Sequence, residues 1–366
     1  MLRTTTLPLL ALSLLLQACS GGSGGASGGG SGASGGGSSS SGGGSSAGGG
    51  SGAMPVVITG VSGATDLWVT AGRAYFTGEA LAGQPAILAA TTTASAATVI
   101  CKGPAGATMA GLVLDGTTVY AFVEPSSGPK KLVKAAVSDT NATCTEVGTV
   151  TPRGFSFGGS LAAAKVGSSL VYLGESGAVM AFDLGANTET ALLQPTGGLS
   201  YFGLVQSVGT KGVVARATNG QTPELKLFTL TGVGDTVDTF SKPEFTTVAT
   251  KVVWAIDGTG GGVTFKSLDT SVSGATAQTG PTANLGPAGR TTFSFCRTNS
   301  DLLPTFVVSS AAGDQAGYYR LPDGGGQPTR LTSQSYDAPL HCGSDAQSLW
   351  FIEGQVGGTR RVLRVQ

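Results

Sequence analysis

Five cysteines, one histidine and a scatter of aspartates are the residues of this 366-residue chain best suited to chemistry. His341 is the single imidazole, which excludes any two-histidine metal site and leaves one candidate base. A lone histidine beside Cys342 in a strand-like run reads as structural. Asp66, Asp115, Asp183, Asp257 and Asp269 stand at the edges of apolar runs and in turns. Aspartate bonds its own backbone at such places, so turn-making is the expectation for each. Glycan hydrolysis needs just two facing carboxylates, a relationship that spacing along a chain does not reveal. The glycine runs at 260–262 and 324–326 precede neither Lys-Ser/Thr nor a helix, so they read as loops rather than phosphate cradles. No catalytic residue, cofactor or metal is expected.

Cys101, Cys144, Cys296 and Cys342 form an even set without Cys-x-x-Cys spacing, which favours disulfides over a metal. Three pairings are open. Cys101 and Cys144 are 43 residues apart and Cys296 and Cys342 are 46 apart, each about one period of the repeat described below. Sequential pairing would therefore stitch neighbouring units. Bonded Cα atoms lie about 4.4–6.8 Å apart, so strands near a centre are bridged more easily than splayed outer ones. Cys296 and Cys342, expected on inner strands, are the safer pair.

Cys19 stands apart. Arg3 makes a short positive region, and Leu7 to Leu16 is an apolar run too short to span a bilayer, as in a secretory signal. The ending Leu16-Gln17-Ala18-Cys19 resembles the lipobox of bacterial lipoproteins. That resemblance implies cleavage before Cys19 and a thioether from its thiol to a diacylglycerol, the thiolate being the nucleophile that forms this bond under mild conditions. Multiple acyl chains anchor stably where one binds marginally. Ser20, in place of the aspartate that holds such proteins at the inner membrane, implies the outer membrane.

From Ser20 to Ala53 every residue is Gly, Ser or Ala, with no side chain able to nucleate a core. Disorder is expected, with a root-mean-square span on the order of 30 Å. The chain thus divides into a signal peptide (1–18), a lipidated cysteine and tether (19–53), and one domain (54–366). Charged residues make up 11% of the chain, which suits strands better than helices. Twenty-one Lys and Arg balance 21 Asp and Glu with no basic cluster beyond Lys130-Lys131 and Arg360-Arg361, so nucleic acid is not an expected partner.

The elements that must position these residues recur. An apolar or aromatic strand is followed each time by a second: Tyr75-Phe76 and Ile87-Leu88, Tyr120 to Phe122 and Leu132-Val133, Tyr172-Leu173 and Val179 to Phe182. The pattern continues through Val213-Val214 and Leu225 to Phe228, Val252 to Trp254 and Val263 to Phe265. It ends with Phe306 to Val308 and Tyr318-Tyr319, then Leu349 to Phe351 and Val362 to Val365. Ala71-Gly72, Asp115-Gly116, Val166-Gly167 and Asn219-Gly220 supply turn chemistry between them. The seven units have a mean period of about 46 residues, near that of four-stranded propeller blades.

The run Asp115-Gly116-Thr117-Thr118-Val119-Tyr120 resembles bacterial propellers built from Asp-Gly-x-x-Val-Tyr units, without Trp-Asp or kelch-like Gly-Gly signatures. An all-β fold is expected: a seven-bladed β-propeller in which the strand within Pro55–Gly60 completes a last blade that has three strands of its own. The alternative is two β-sandwiches joined near Ser241-Lys242-Pro243. The expected role is that of a monomeric, non-enzymatic lipoprotein, tied to the outer membrane by its lipid and binding or scaffolding an envelope protein or glycan. The alternative is a carbohydrate-active propeller, a glycoside hydrolase or lyase.

Overall fold

A computed structural model describes residues 56–154, 163–195, 200–217, 223–239, 244–257, 262–285, 291–298, 303–310, 317–322, 326–332, 341–345, 348–354 and 360–365. The signal peptide, Cys19, the tether, Asn219-Gly220 and the Ser241-Lys242-Pro243 junction lie outside these residues.

Among the described residues every regular element is a strand, as expected of a chain rich in Thr, Val and aromatics and poor in Glu, Lys and Arg. β1 (Val56–Ile58) is followed by seven blades. Blade 1 holds β2 (Ser62–Thr70), β3 (Arg73–Leu81), β4 (Gln84–Thr91) and β5 (Thr98–Lys102). Blade 2 holds β6 (Thr108–Asp115), β7 (Thr118–Glu124), β8 (Lys131–Ala136) and β10 (Thr145–Thr149); the two-residue β9 (Ala142–Thr143), between β8 and β10 in the chain, joins the sheet of blade 1. Blade 3 holds β11 (Ala163–Val166), β12 (Ser169–Leu173), β13 (Val179–Asp183) and β14 (Thr188–Leu193). Blade 4 holds β15 (Ser200–Val208), β16 (Lys211–Ala217), β17 (Glu224–Phe228) and β18 (Gly234–Thr239). Blade 5 holds β19 (Phe245–Val248), β20 (Lys251–Asp257), β21 (Val263–Asp269) and β22 (Gln278–Ala283). Blade 6 holds β23 (Thr291–Phe295), β25 (Thr305–Ser310), β26 (Gly317–Arg320) and β27 (Thr329–Arg330); the two-residue β24 (Arg297–Thr298), between β23 and β25 in the chain, joins the sheet of blade 7. Blade 7 holds β28 (His341–Ser344), β29 (Leu349–Glu353) and β30 (Arg361–Val365).

Each blade is an antiparallel meander. The first strands touch one another in succession from β2 through β6, β11, β15 and β19 to β23, and β28 returns to β2. They line the centre of a seven-bladed β-propeller. Blade 7 takes its fourth strand from the other end of the chain, with Val56 opposite Arg364, Val57 opposite Leu363 and Ile58 opposite Val362. This closure removes the alternative of two sandwiches, whose halves would share no blade.

The first hairpins turn tightly because their sequences allow a left-handed residue at the tip. Ala71 and Gly72 both have positive φ, 47° and 71°, in a two-residue loop between paired Thr70 and Arg73. Asp115 pairs with Thr118 across Gly116, and Val166 pairs with Ser169 across Gly167. Both glycines have a φ of 56°. Such turns match the right-handed strand twist, and glycine adopts them without Cβ strain.

Packing runs between blades rather than within them. Phe76, Leu88 and Ala64 of blade 1 share a buried cluster with Trp350, Ile352 and Val362 of blade 7. Tyr75 and Ile87 face the opposite way, onto Leu112, Val119 and Val133 of blade 2. Alternate side chains of one strand therefore fill two different seams. Phe122 and Tyr172 meet edge to face at 4.7 Å between blades 2 and 3. Phe265, Phe295, Phe306 and Tyr319 fill the seam between blades 5 and 6. Emptying one such seam by truncating a buried aromatic costs about 3–5 kcal/mol.

Both disulfides form between sequential cysteines and join neighbouring blades, Cys101 to Cys144 and Cys296 to Cys342. Cys296 directly follows the inner strand β23 and Cys342 lies in the inner strand β28, with Cα atoms 4.5 Å apart, beside a short parallel pairing of β24 with β28. Cys101 and Cys144 are on outer strands, where splaying argues against a bridge, yet their Cα atoms are 5.0 Å apart. β9 crosses from blade 2 to pair in parallel with β5, Cys101 opposite Ala142 and Lys102 opposite Thr143, and it carries Cys144 across the gap.

Candidate binding site

The aspartates are dispersed and bonded. Asp183 accepts from the N–H groups of Ala186 and Gly185, which hold its carboxyl below the usual range. Asp269 accepts from the hydroxyl and N–H of Ser271 and from Thr250, with the same effect. Both make turns, as expected. Asp115 ends β6 and pairs with Lys165 of blade 3 at 2.9 Å. Asp257 ends β20, and its side chain lies outside the described residues. His341 opens β28, half-buried, with its backbone in the ladder opposite Ile352.

Asp66 overturns its expectation. It is 1% exposed within β2 and accepts from the N–H of Gly111 in blade 2 at 2.7 Å and from Thr77 at 3.4 Å. Gly111 has a φ of 74° and sits where the β6–β7 register shifts, so its N–H is released from the ladder and given to the neighbouring blade. A Gly-Leu-Val run recurs at Gly203-Leu204-Val205 within another register shift of an inner strand. It is a sequence signal for these bulges that strand counting misses.

Similar polar links run between other inner strands. Gln206 donates to the carbonyl of Phe245 and accepts from the N–H and hydroxyl of Thr247, joining blades 4 and 5. Thr246 donates to the carbonyl of Cys296, joining blades 5 and 6. Ser344 and Thr305 join blades 7 and 6. Arg360, 5% exposed, donates to the carbonyl of Ala64. Burial lowers its pKa against the pull of the Asp66 carboxylate. The polar residues near the centre are thus largely engaged in joining blades.

Glu244, just before β19, is a carboxyl whose pKa is raised. Burial pushes its pKa up to about 7, opposed by hydrogen bonds from Ser294 and the N–H of Phe295. Among the described residues no three His, Cys, Asp or Glu side chains converge as a metal site would require.

Concavity lies in the gaps between blades. A cleft of about 610 Å³ between blades 4 and 5 is lined by Lys211, Asp235, Asp269 and the Ser271 to Ala277 turn. A second, of about 520 Å³ between blades 1 and 2, has the bridged Cys144 in its lining and is more apolar, with Val123, Val133, Pro104 and Pro125 among its lining residues. Spacing along the chain does not show these clefts, because each is made by residues about one repeat apart.

No known family model matches the sequence, and no curated protein matches it. Solved structures do match, and they are propellers. The β-propeller domain of the Trilobed protease from Pyrococcus furiosus is similar over 84% of this chain and 96% of its own, with 11% identity and a TM-score of 0.52. YCF48 from Cyanidioschyzon merolae is similar over 86% of this chain and 98% of its own, with 14% identity and a TM-score of 0.51. An acylaminoacyl peptidase from Pyrococcus horikoshii is similar over 82% of this chain and 52% of its own, with 8% identity and a TM-score of 0.51. The chain spans about half the length of the peptidase and TolB structures that it also matches. At such identities the likeness shows the fold alone.

Proposed function

We propose that this protein is an outer-membrane-anchored lipoprotein whose propeller is a non-enzymatic binding or scaffold module for an envelope protein or glycan. The observation that carries the reading is the use of its inner polar side chains. Asp66, Gln206, Thr246 and Ser344 join blades, and Asp183 and Asp269 hold turns. Two disulfides between neighbouring blades fit an oxidising compartment outside the cytoplasm. The lipobox-like Leu16-Gln17-Ala18-Cys19 and the Gly/Ser/Ala tether supply the anchor and the reach. A rigid ring on such a tether suits presentation to a neighbour in a crowded envelope.

Cys19→Ser tests the anchor. The variant loses palmitate labelling, keeps its precursor length and leaves the outer-membrane fraction; normal labelling would end the lipoprotein reading. In-envelope crosslinking of the wild type, followed by capture, tests the scaffold role. Glycan cleavage by the purified protein, lost in Glu244→Gln, would favour the carbohydrate-active alternative.

A further inference from the structure

The cleft between blades 1 and 2 has a chemistry of its own. Val123 and Val133 are buried at its base, and Pro104 and Pro125 stand in its walls. Six polar side chains also line it: Gln84, Lys102, Lys131, Asn141, Thr143 and Glu146. Lys131, the other lysine of the lining, is paired with Glu146 at 2.8 Å and bonded to Thr149. Lys102 is half-buried, and no carboxylate among the described residues pairs with it. The amides of Gln84 and Asn141 likewise have no side-chain hydrogen bond within the described residues.

The walls are held in place. Gly103 donates to the carbonyl of Pro85 and Gly106 to that of Gly83, each at 2.8 Å. Cys144 donates to the carbonyl of Lys102 at 3.0 Å, beside its disulfide to Cys101. A preformed cleft of about 520 Å³ loses little entropy when a ligand enters, and its size falls within the ~300–1,000 Å³ of ligand sites.

We propose that this cleft receives the C-terminal end of a partner polypeptide, an apolar last residue with its free α-carboxylate. The assignment rests on the binding reading above and names the chemistry of its partner. An unpaired, half-buried ammonium calls for an anion. Two free primary amides match the donors and acceptors of peptide groups and have no counterpart on an alkyl chain, so a peptide end fits better than a fatty acid. The apolar base takes the terminal side chain.

Calorimetric titration of the full-length protein with acetyl-Ala-Leu-Val as the free acid, its C-terminal amide, and octanoate tests the assignment. The acid binds at least about tenfold more tightly than the amide, since a charge-assisted hydrogen bond exceeds a neutral one. Lys102→Met, with an unchanged thermal melt, abolishes that preference. Equal binding of acid and amide to the wild type, octanoate binding as tight as the peptide, or no heat up to about 5 mM peptide would each overturn it. A partner captured by crosslinking equally well in Lys102→Met would refute the cleft while leaving the scaffold reading intact.

Discussion

The Asp345 carboxylate in the last blade accepts a 2.5 Å hydrogen bond from the backbone N–H of Gly72 in the first, two residues 273 positions apart. Its other oxygen holds the N–H and hydroxyl of Ser348, and that hydroxyl in turn receives the Trp350 indole N–H. The ring is therefore closed twice: at its outer edge by the β1–β30 ladder and near its centre by one carboxylate. Arg364, whose guanidinium lies 5.8 Å from the Trp350 ring centre, adds bonds from blade 7 to the carbonyls of Thr91 and Ala94 in blade 1.

Asp345→Ala leaves the buried Gly72 N–H without its acceptor and frees the Ser348 turn. A loss of about 2–4 kcal/mol is expected from stranding several buried donors, read as a lower urea midpoint with an unchanged slope. A shift under about 0.5 kcal/mol, the scale of an ordinary surface substitution, would show that the inner closure is dispensable.

Glu244 predicts a descending limb of stability with pH. Its carboxyl is raised by burial from an ordinary 4.5 to about 7, so the folded ring keeps a proton that the unfolded chain releases. Stability therefore falls as pH rises from 4.5 toward 7 and levels off above, by up to about 3 kcal/mol. Glu244→Gln flattens that limb, as chemical denaturation across the window would show. Asp183, Asp238 and Asp269, whose carboxyls are held low, act in the opposite sense, and their contribution fades below about pH 4.

Reduction of the disulfides should lower stability without changing the fold. For loops closed by residues 43 and 46 apart, chain-entropy arguments give about 4 kcal/mol each as an upper figure. Cys101→Ala/Cys144→Ala and Cys296→Ala/Cys342→Ala, measured separately by guanidinium melts, apportion it. The inner pair lies beside the closing blade, so its removal should also increase proteolysis of blade 7.

Deleting residues 54–60 removes β1 and exposes the edge of β30. Several kcal/mol of stability should be lost and aggregation should rise, because an unpaired edge templates pairing with other chains. Limited proteolysis then degrades the whole ring together. Release of an intact fragment beginning near Lys242 would mean that half the molecule folds alone, against the closed ring.

Much of the architecture was legible in the sequence because it is local. Strand period, Gly-containing turns and an aromatic in six of the seven second strands recur at about 46 residues, and a blade is a meander of neighbouring segments. The count of seven, the missing fourth strand and the sequential cysteine pairing all follow from that period. The Leu16-Gln17-Ala18-Cys19 run and the Gly/Ser/Ala composition of 20–53 are likewise read from consecutive residues.

What only the tertiary structure decided lies between blades. Asp66 reads as a turn residue by its neighbours and becomes a buried acceptor because the bulge at Gly111 turns an N–H toward it. The Cys101–Cys144 pair, the less easily bridged of the two by its outer position, is formed because β9 crosses the gap. Gln206, Glu244 and Asp345 carry no local signature. Their roles come from facing a strand about one repeat away, or at the opposite end of the chain, and ring closure sets that proximity. The cleft around Lys102 is of the same kind, for its walls belong to two blades.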